Sequence, residues 1–179
     1  NSLPVTGFNT PVGGGTVTGL TVGKHYYICD AHASFGMKGK IVVKPAPSVQ
    51  FVITSSAVSE GVGSFGIAVS ITNPNSNTTA VDVNVLGGGS ATSGTDYTYS
   101  PVTVVFPPNT GTAQIVNVSF TDDQLVEGAE SFTFQLAAPT NNATIGANAQ
   151  HTITINDNDT LKIGLLSNGI AQFENIGTV

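Results

Sequence analysis

The chain has 179 residues, enough for one domain of ordinary size and a remnant, and 40% of them are apolar, so a real core can form. Five lysines, no arginine and eleven acids give a net charge of −6, which argues against nucleic acid and anionic membranes, both of which need clustered cations. No apolar run approaches the roughly 20 residues of a spanning helix, and the single Cys29 excludes an internal disulfide.

Residues 1–44 hold strand-like runs at Gly15–Leu20, Lys24–Cys29 and Lys40–Lys44, with Gly-rich turns between them. Residues 45–48, within Lys44-Pro-Ala-Pro-Ser48, form a short stiff linker. Seven strands, labelled A to G, are then expected near 49–55, 65–72, 81–86, 102–106, 113–120, 131–138 and 149–156. Alternation carries the reading. Ile67, Val69 and Ile71 share a face, as do Val81, Val83 and Val85, then Val116, Val118 and Phe120, then Phe132, Phe134 and Leu136. No segment sustains a 3.6-residue period, so the expected fold is all-β: a seven-strand antiparallel sandwich. Residues 160–179 add an apolar run, Leu161–Leu166, and a short strand, as a tail or the start of a next module.

Loop parity gives this sandwich a polarity. If each connection reverses the chain, the A–B, C–D and E–F loops share one end with the exit of G. Eight of the eleven acids fall there: Glu60, Asp96, Asp122, Asp123, Glu127, Glu130, Asp157 and Asp159. Only Lys162 lies near them in sequence. So many carboxylates repel one another unless a cation sits among them. Calcium takes six to eight oxygens and prefers carboxylates, magnesium keeps more of its water, and zinc and copper want imidazole or thiolate, which these loops lack. The expectation is one or more calcium ions. The competing explanation is that acids are simply common in loops.

Four stretches carry a resemblance: Ala91-Thr-Ser-Gly-Thr-Asp-Tyr97; Val104-Val-Phe106 with Pro-Pro-Asn-Thr-Gly; Phe120-Thr-Asp-Asp-Gln-Leu-Val-Glu-Gly-Ala-Glu-Ser-Phe132; and Ile153-Thr-Ile-Asn-Asp-Asn-Asp159. With them, residues 49–159 resemble a Calx-beta domain, the immunoglobulin-like calcium-binding module of sodium–calcium exchangers, integrin β4 and many bacterial surface proteins. The resemblance implies ligands from the Glu after strand A, the Asp before the Tyr, the E–F acidic run and the terminal acidic triplet, which here are the same eight residues. Asn158 stands where the strongest binders have a third Asp, which implies weaker binding or fewer ions.

Residues 24–43 contain Cys29, His32 and Met37 in C-x2-H-x4-M spacing. A copper electron-transfer site uses a thiolate, two imidazoles and a weak thioether. Residues 12–44 resemble the C-terminal end of a plastocyanin-like cupredoxin. The second imidazole is missing: His25 lies about 13 Å from Cys29 along one strand at ~3.3 Å per residue, and His151 belongs to the other segment. Copper would need a His from elsewhere, so the segment reads as a partial cupredoxin-like fragment.

No Gly-x-Ser-x-Gly elbow or defensible catalytic triad is present, and Gly87-Gly-Gly89 opens no helix, so no enzyme is expected. Asn77, Asn117, Asn142 and Asn158 head Asn-x-Ser/Thr sequons, as chance predicts in so Asn- and Thr-rich a chain. The expected function is a calcium-binding structural or adhesion module of a secreted, multidomain surface protein. Its expected partners are neighbouring domains and an adhesion surface. The alternative is a copper electron-transfer protein with the sandwich as spacer. The expected location is secreted or cell-surface, in a bacterium; Phe173–Val179 resembles the lead-in to a bacterial C-terminal sorting domain over too few residues to bear on this.

Overall fold

The computed structural model describes residues 18–28, 34–165 and 171–176. The chain divides into two compact units, Asn1–Pro45 and Ala46–Val179. In the first, β1 (Gly23–Ile28) and β2 (Lys38–Val43) form an antiparallel pair. Gly39 lies opposite Tyr27, and the tyrosine ring covers the place where a Cβ would stand. Residues 15–17 of the expected first run lie outside the described residues, and residues 18–20 are not strand.

The second unit is a sandwich of two five-stranded sheets. One has the order β4 (Ser55–Ser59), β12 (Gln150–Asn156), β10 (Glu130–Ala137), β6 (Thr79–Leu86), β8 (Val102–Phe106). The other has the order β11 (Thr144–Ile145), β3 (Ser48–Phe51), β5 (Ser64–Thr72), β9 (Gln114–Phe120), β7 (Tyr97–Thr98). The alternating residues face inward as their spacing requires. Ile67, Val69, Ile71, Val81, Val83, Val116, Val118, Phe132, Phe134, Leu136, Ile153 and Ile155 are all buried in one core. Phe51, Phe106, Phe132 and Phe134 are its largest fully buried side chains. Each contributes roughly 2–3 kcal/mol of apolar burial. β13 (Thr160–Leu165) and β14 (Ala171–Ile176) form a separate antiparallel pair.

The expected strand A differs in one respect. It divides into β3 and β4, which lie in opposite sheets. Val52 and Ile53 are exposed at the crossing. His151, fully buried on β12, fixes it. Its Nδ1 lies 2.8 Å from the Ile53 carbonyl and its Nε2 lies 2.9 Å from Ser56 Oγ. The carbonyl can only accept, so Nδ1 donates to it, and Nε2 shares a hydrogen bond with the serine hydroxyl. The expected strands D and G are β8 and β12, and each is preceded by a short strand in the opposite sheet, β7 and β11, that the alternation did not mark. None of these crossings reverses the chain. Two pairings are consequently parallel, β4 with β12 and β3 with β11, because the first and last runs travel in the same direction.

Candidate metal centre

At the end of the sandwich where β12 finishes, the inward-facing pattern continues in a different chemistry. Ile153 and Ile155 are followed at the same two-residue spacing by Asp157 and Asp159. Val58 is followed by Glu60, and Phe132 is preceded by Glu130. The core thus passes from hydrocarbon to carboxylate at its rim.

Glu60 opens a single 3-10 turn, Glu60–Val62, directly after β4. Asp96 sits in a tight loop. Its side chain accepts from the Thr92 backbone N–H and its carbonyl accepts from Thr121 N–H at 3.0 Å. Tyr97 holds this loop down by stacking on Phe132, with ring centroids 3.7 Å apart and planes 2° apart. Asp157 ties two segments together. One carboxylate oxygen accepts from Glu127 N–H and the other from Asp159 N–H, each at 2.7 Å. Asp123 Oδ1 accepts from Leu125 N–H at 2.7 Å, which turns the chain between β9 and β10.

Two triads result. Glu60, Asp157 and Asp159 each offer one oxygen within 4.8 Å of the others, and so do Asp96, Glu127 and Glu130. That spacing fits ligands around one calcium at ~2.3–2.6 Å from each oxygen. Glu60, Asp96, Asp123, Glu127, Glu130 and Asp157 line one small cleft with Thr121, Gly128 and Ile155. Asp122 stands beside the cleft, accepting from Asn158 Nδ2 at 3.2 Å. Seven of the eight sequence-predicted residues therefore fall in a triad or line the cleft, and the eighth is linked to them through Asn158.

The electrostatics show what this arrangement costs without a cation. Glu60 is only 6% exposed, and its Oε1 is buried with no hydrogen-bond partner. Burial first, then the charge of Asp157 and those of Asp123 and Asp159, push its carboxyl from 4.5 up to about 7, against a backbone hydrogen bond from Asn158. Partial desolvation, then a hydrogen bond with Asp96 and the charges of Asp96 and Glu127, raises Glu130. Desolvation, then Asp123, Asp96 and Asp157, raises Glu127. A divalent cation supplies what the orphaned Glu60 oxygen lacks, so the donor set fits calcium: oxygen ligands only, several of them carboxylates, one buried and unsatisfied.

Gly61 is a contributor that charge patterns do not reveal. A Cβ there would lie 2.8 Å from Asn158 Nδ2, so the glycine lets Asn158 approach. The available signal is Glu-Gly, which occurs at 60–61 and again at 127–128.

The copper motif is mostly beyond view. Cys29 and His32 lie outside the described residues, and Met37 is exposed. His25 Nε2 lies 2.7 Å from the Thr21 carbonyl of its own segment.

The fold and the rim together define an immunoglobulin-like sandwich ending in a carboxylate cleft. The Calx-beta domain profile matches residues 44–159, and the chain belongs to that family. Among solved structures, it is similar to the apo-form Calx CBD1 domain, with 24% identity and a TM-score of 0.60, over 64% of this chain and all of that one. It is also similar to the calcium binding domain CBD12 of CALX1.1, at 24% identity and TM-score 0.58, over 62% of this chain but 44% of that one. The Calx CBD2 domain gives 15% identity and a TM-score of 0.52, over 60% of this chain and 85% of that chain. The chain thus spans less than half of the CBD12 structure. A comparison with curated proteins finds no significant match. Among the described residues no helix is long and apolar enough to cross a membrane.

Proposed function

We propose that residues 49–159 form a calcium-binding module that works structurally, with no catalytic role, in a secreted, multidomain surface protein, where it serves adhesion or spacing. The eight acids are its ligand set, with Glu60, Asp157 and Asp159 holding one ion and Asp96, Glu127 and Glu130 a second. The buried, unpartnered Oε1 of Glu60 carries this reading, because a lone desolvated carboxylate oxygen aimed among acids is otherwise a pure cost. Family membership and the name of one similar structure, a calcium binding domain, support it. Calcium bound to the folded state alone stabilises by about 2.7 kcal/mol at a hundredfold excess over Kd. The melting temperature is therefore higher in millimolar calcium than in EDTA, and equal values in the two would remove the site. Residues 1–44 resemble part of a cupredoxin and supply Cys29, His32 and Met37 but no second imidazole for copper. Copper(II) titration is expected to give no intense band near about 600 nm.

A further inference from the structure

The two units carry opposite charge. Residues 1–45 have four lysines against one aspartate, a net of +3, and residues 46–179 have one lysine against ten acids, a net of −9. The positive charge is also one-sided. The β1–β2 register places Lys24 opposite Val42, Tyr26 opposite Lys40 and Ile28 opposite Lys38. Successive strand residues point to opposite faces, so these three pairs share one face, each combining a lysine with an apolar residue. The other face, with His25–Ile41, Tyr27–Gly39 and Gly23–Val43, carries no lysine. All six residues of the lysine face are exposed.

The carboxylate end of the sandwich has the complementary composition. Val62, Leu125 and Val126 are exposed on the loops that carry Glu60, Asp123 and Glu127. It therefore offers acids with apolar tips where the hairpin offers lysines with apolar neighbours. Within the second unit the chain enters at Ser48, at the end opposite the acids, since Ser48 pairs with Thr72 while Ser64 pairs with Ser119.

We infer that the lysine face of the β1–β2 hairpin docks on the carboxylate end of a second copy of this chain. Each copy has one of each surface, so association is head-to-tail and continues to a ring or an open row. The contact is electrostatic at its centre, so it weakens as salt screens it. It also rests in part on the calcium reading above: an ion held by Asp96, Glu127 and Glu130 takes up the charge that the lysines meet, and calcium then releases the copies.

Sedimentation velocity of the whole chain tests this. In EDTA at about 20 mM salt the chain is expected to self-associate in a concentration-dependent way, at least about tenfold more weakly at about 300 mM. The triple variant Lys24→Glu, Lys38→Glu, Lys40→Glu is expected to be monomeric, as is Asp96→Asn, Glu127→Gln, Glu130→Gln. Mixed one to one, they are expected to form a dimer and nothing larger, because one intact pair of surfaces remains. That recovery also excludes misfolding as the cause of either loss. A monomeric wild-type chain in EDTA, a lysine variant that associates like wild type, or a mixture that stays monomeric would each overturn the interface. If calcium raises the melting temperature but the EDTA form is monomeric, the interface fails and the calcium site stands. If the variants behave as expected but calcium neither dissociates the copies nor stabilises the fold, the interface stands and the calcium site fails.

Discussion

Glu60 concentrates the physics of this molecule in one side chain. It is buried, one oxygen has no hydrogen-bond partner, and its carboxyl is pushed to about 7. A group whose folded pKa is raised contributes stability that is fully present below its unfolded pKa, near 4.5, and lost as pH rises through the folded value. The cation-free protein is therefore less stable at pH 8 than at pH 5, by up to about 3 kcal/mol from this group. Thermal melts in EDTA across that range check it, and a melting temperature that rises with pH would contradict it. Glu60→Gln removes the charge and keeps the shape. At pH 8 in EDTA that variant is expected to melt above wild type, while its calcium-induced shift shrinks by more than half. Much of this position was legible beforehand, because loop parity and the Calx-beta resemblance each put Glu60, Asp157 and Asp159 at one end of the sandwich. How the acids divide into two triads was not legible. That depends on loop hydrogen bonds such as Asp157 to Glu127 N–H, which join residues thirty apart.

At the scale of elements, loop parity predicted the shared end although strand A was read as one run. The run Phe51-Val-Ile53 looks continuous, and nothing local says that the chain changes sheets there. The cause is distant: His151, about a hundred residues away, captures the Ile53 carbonyl and Ser56. Parity survived because the chain keeps its direction through each crossing. His151→Ala would leave a cavity beside Phe51 and strip the Ile53 carbonyl of its buried donor. The expected loss is about 3 kcal/mol, read from urea unfolding, with His151→Phe failing to restore it because the hydrogen bonds stay broken.

At the scale of the whole molecule, β13 begins at Thr160, immediately after Asp159, with no linker between. A two-stranded sheet is marginal by itself. Calcium at Asp157 and Asp159 is expected to slow amide exchange from Asp157 through Leu165, and unchanged exchange there would separate the metal from the junction. The arrangement of the hairpin's register with respect to charge was not legible either, since β1 and β2 face each other through pairings that composition alone does not give.

The parallel pairing of β4 with β12 has a mechanical side. These strands lie near the two ends of the sandwich sequence, run in the same direction and are bridged over five residue pairs. Tension applied at Ser55, where β4 begins, and at Asp159, beyond the end of β12, would pull them past each other along their length. Their hydrogen bonds are then sheared together, not unzipped one by one. A module pulled in this direction is expected to yield in one abrupt step.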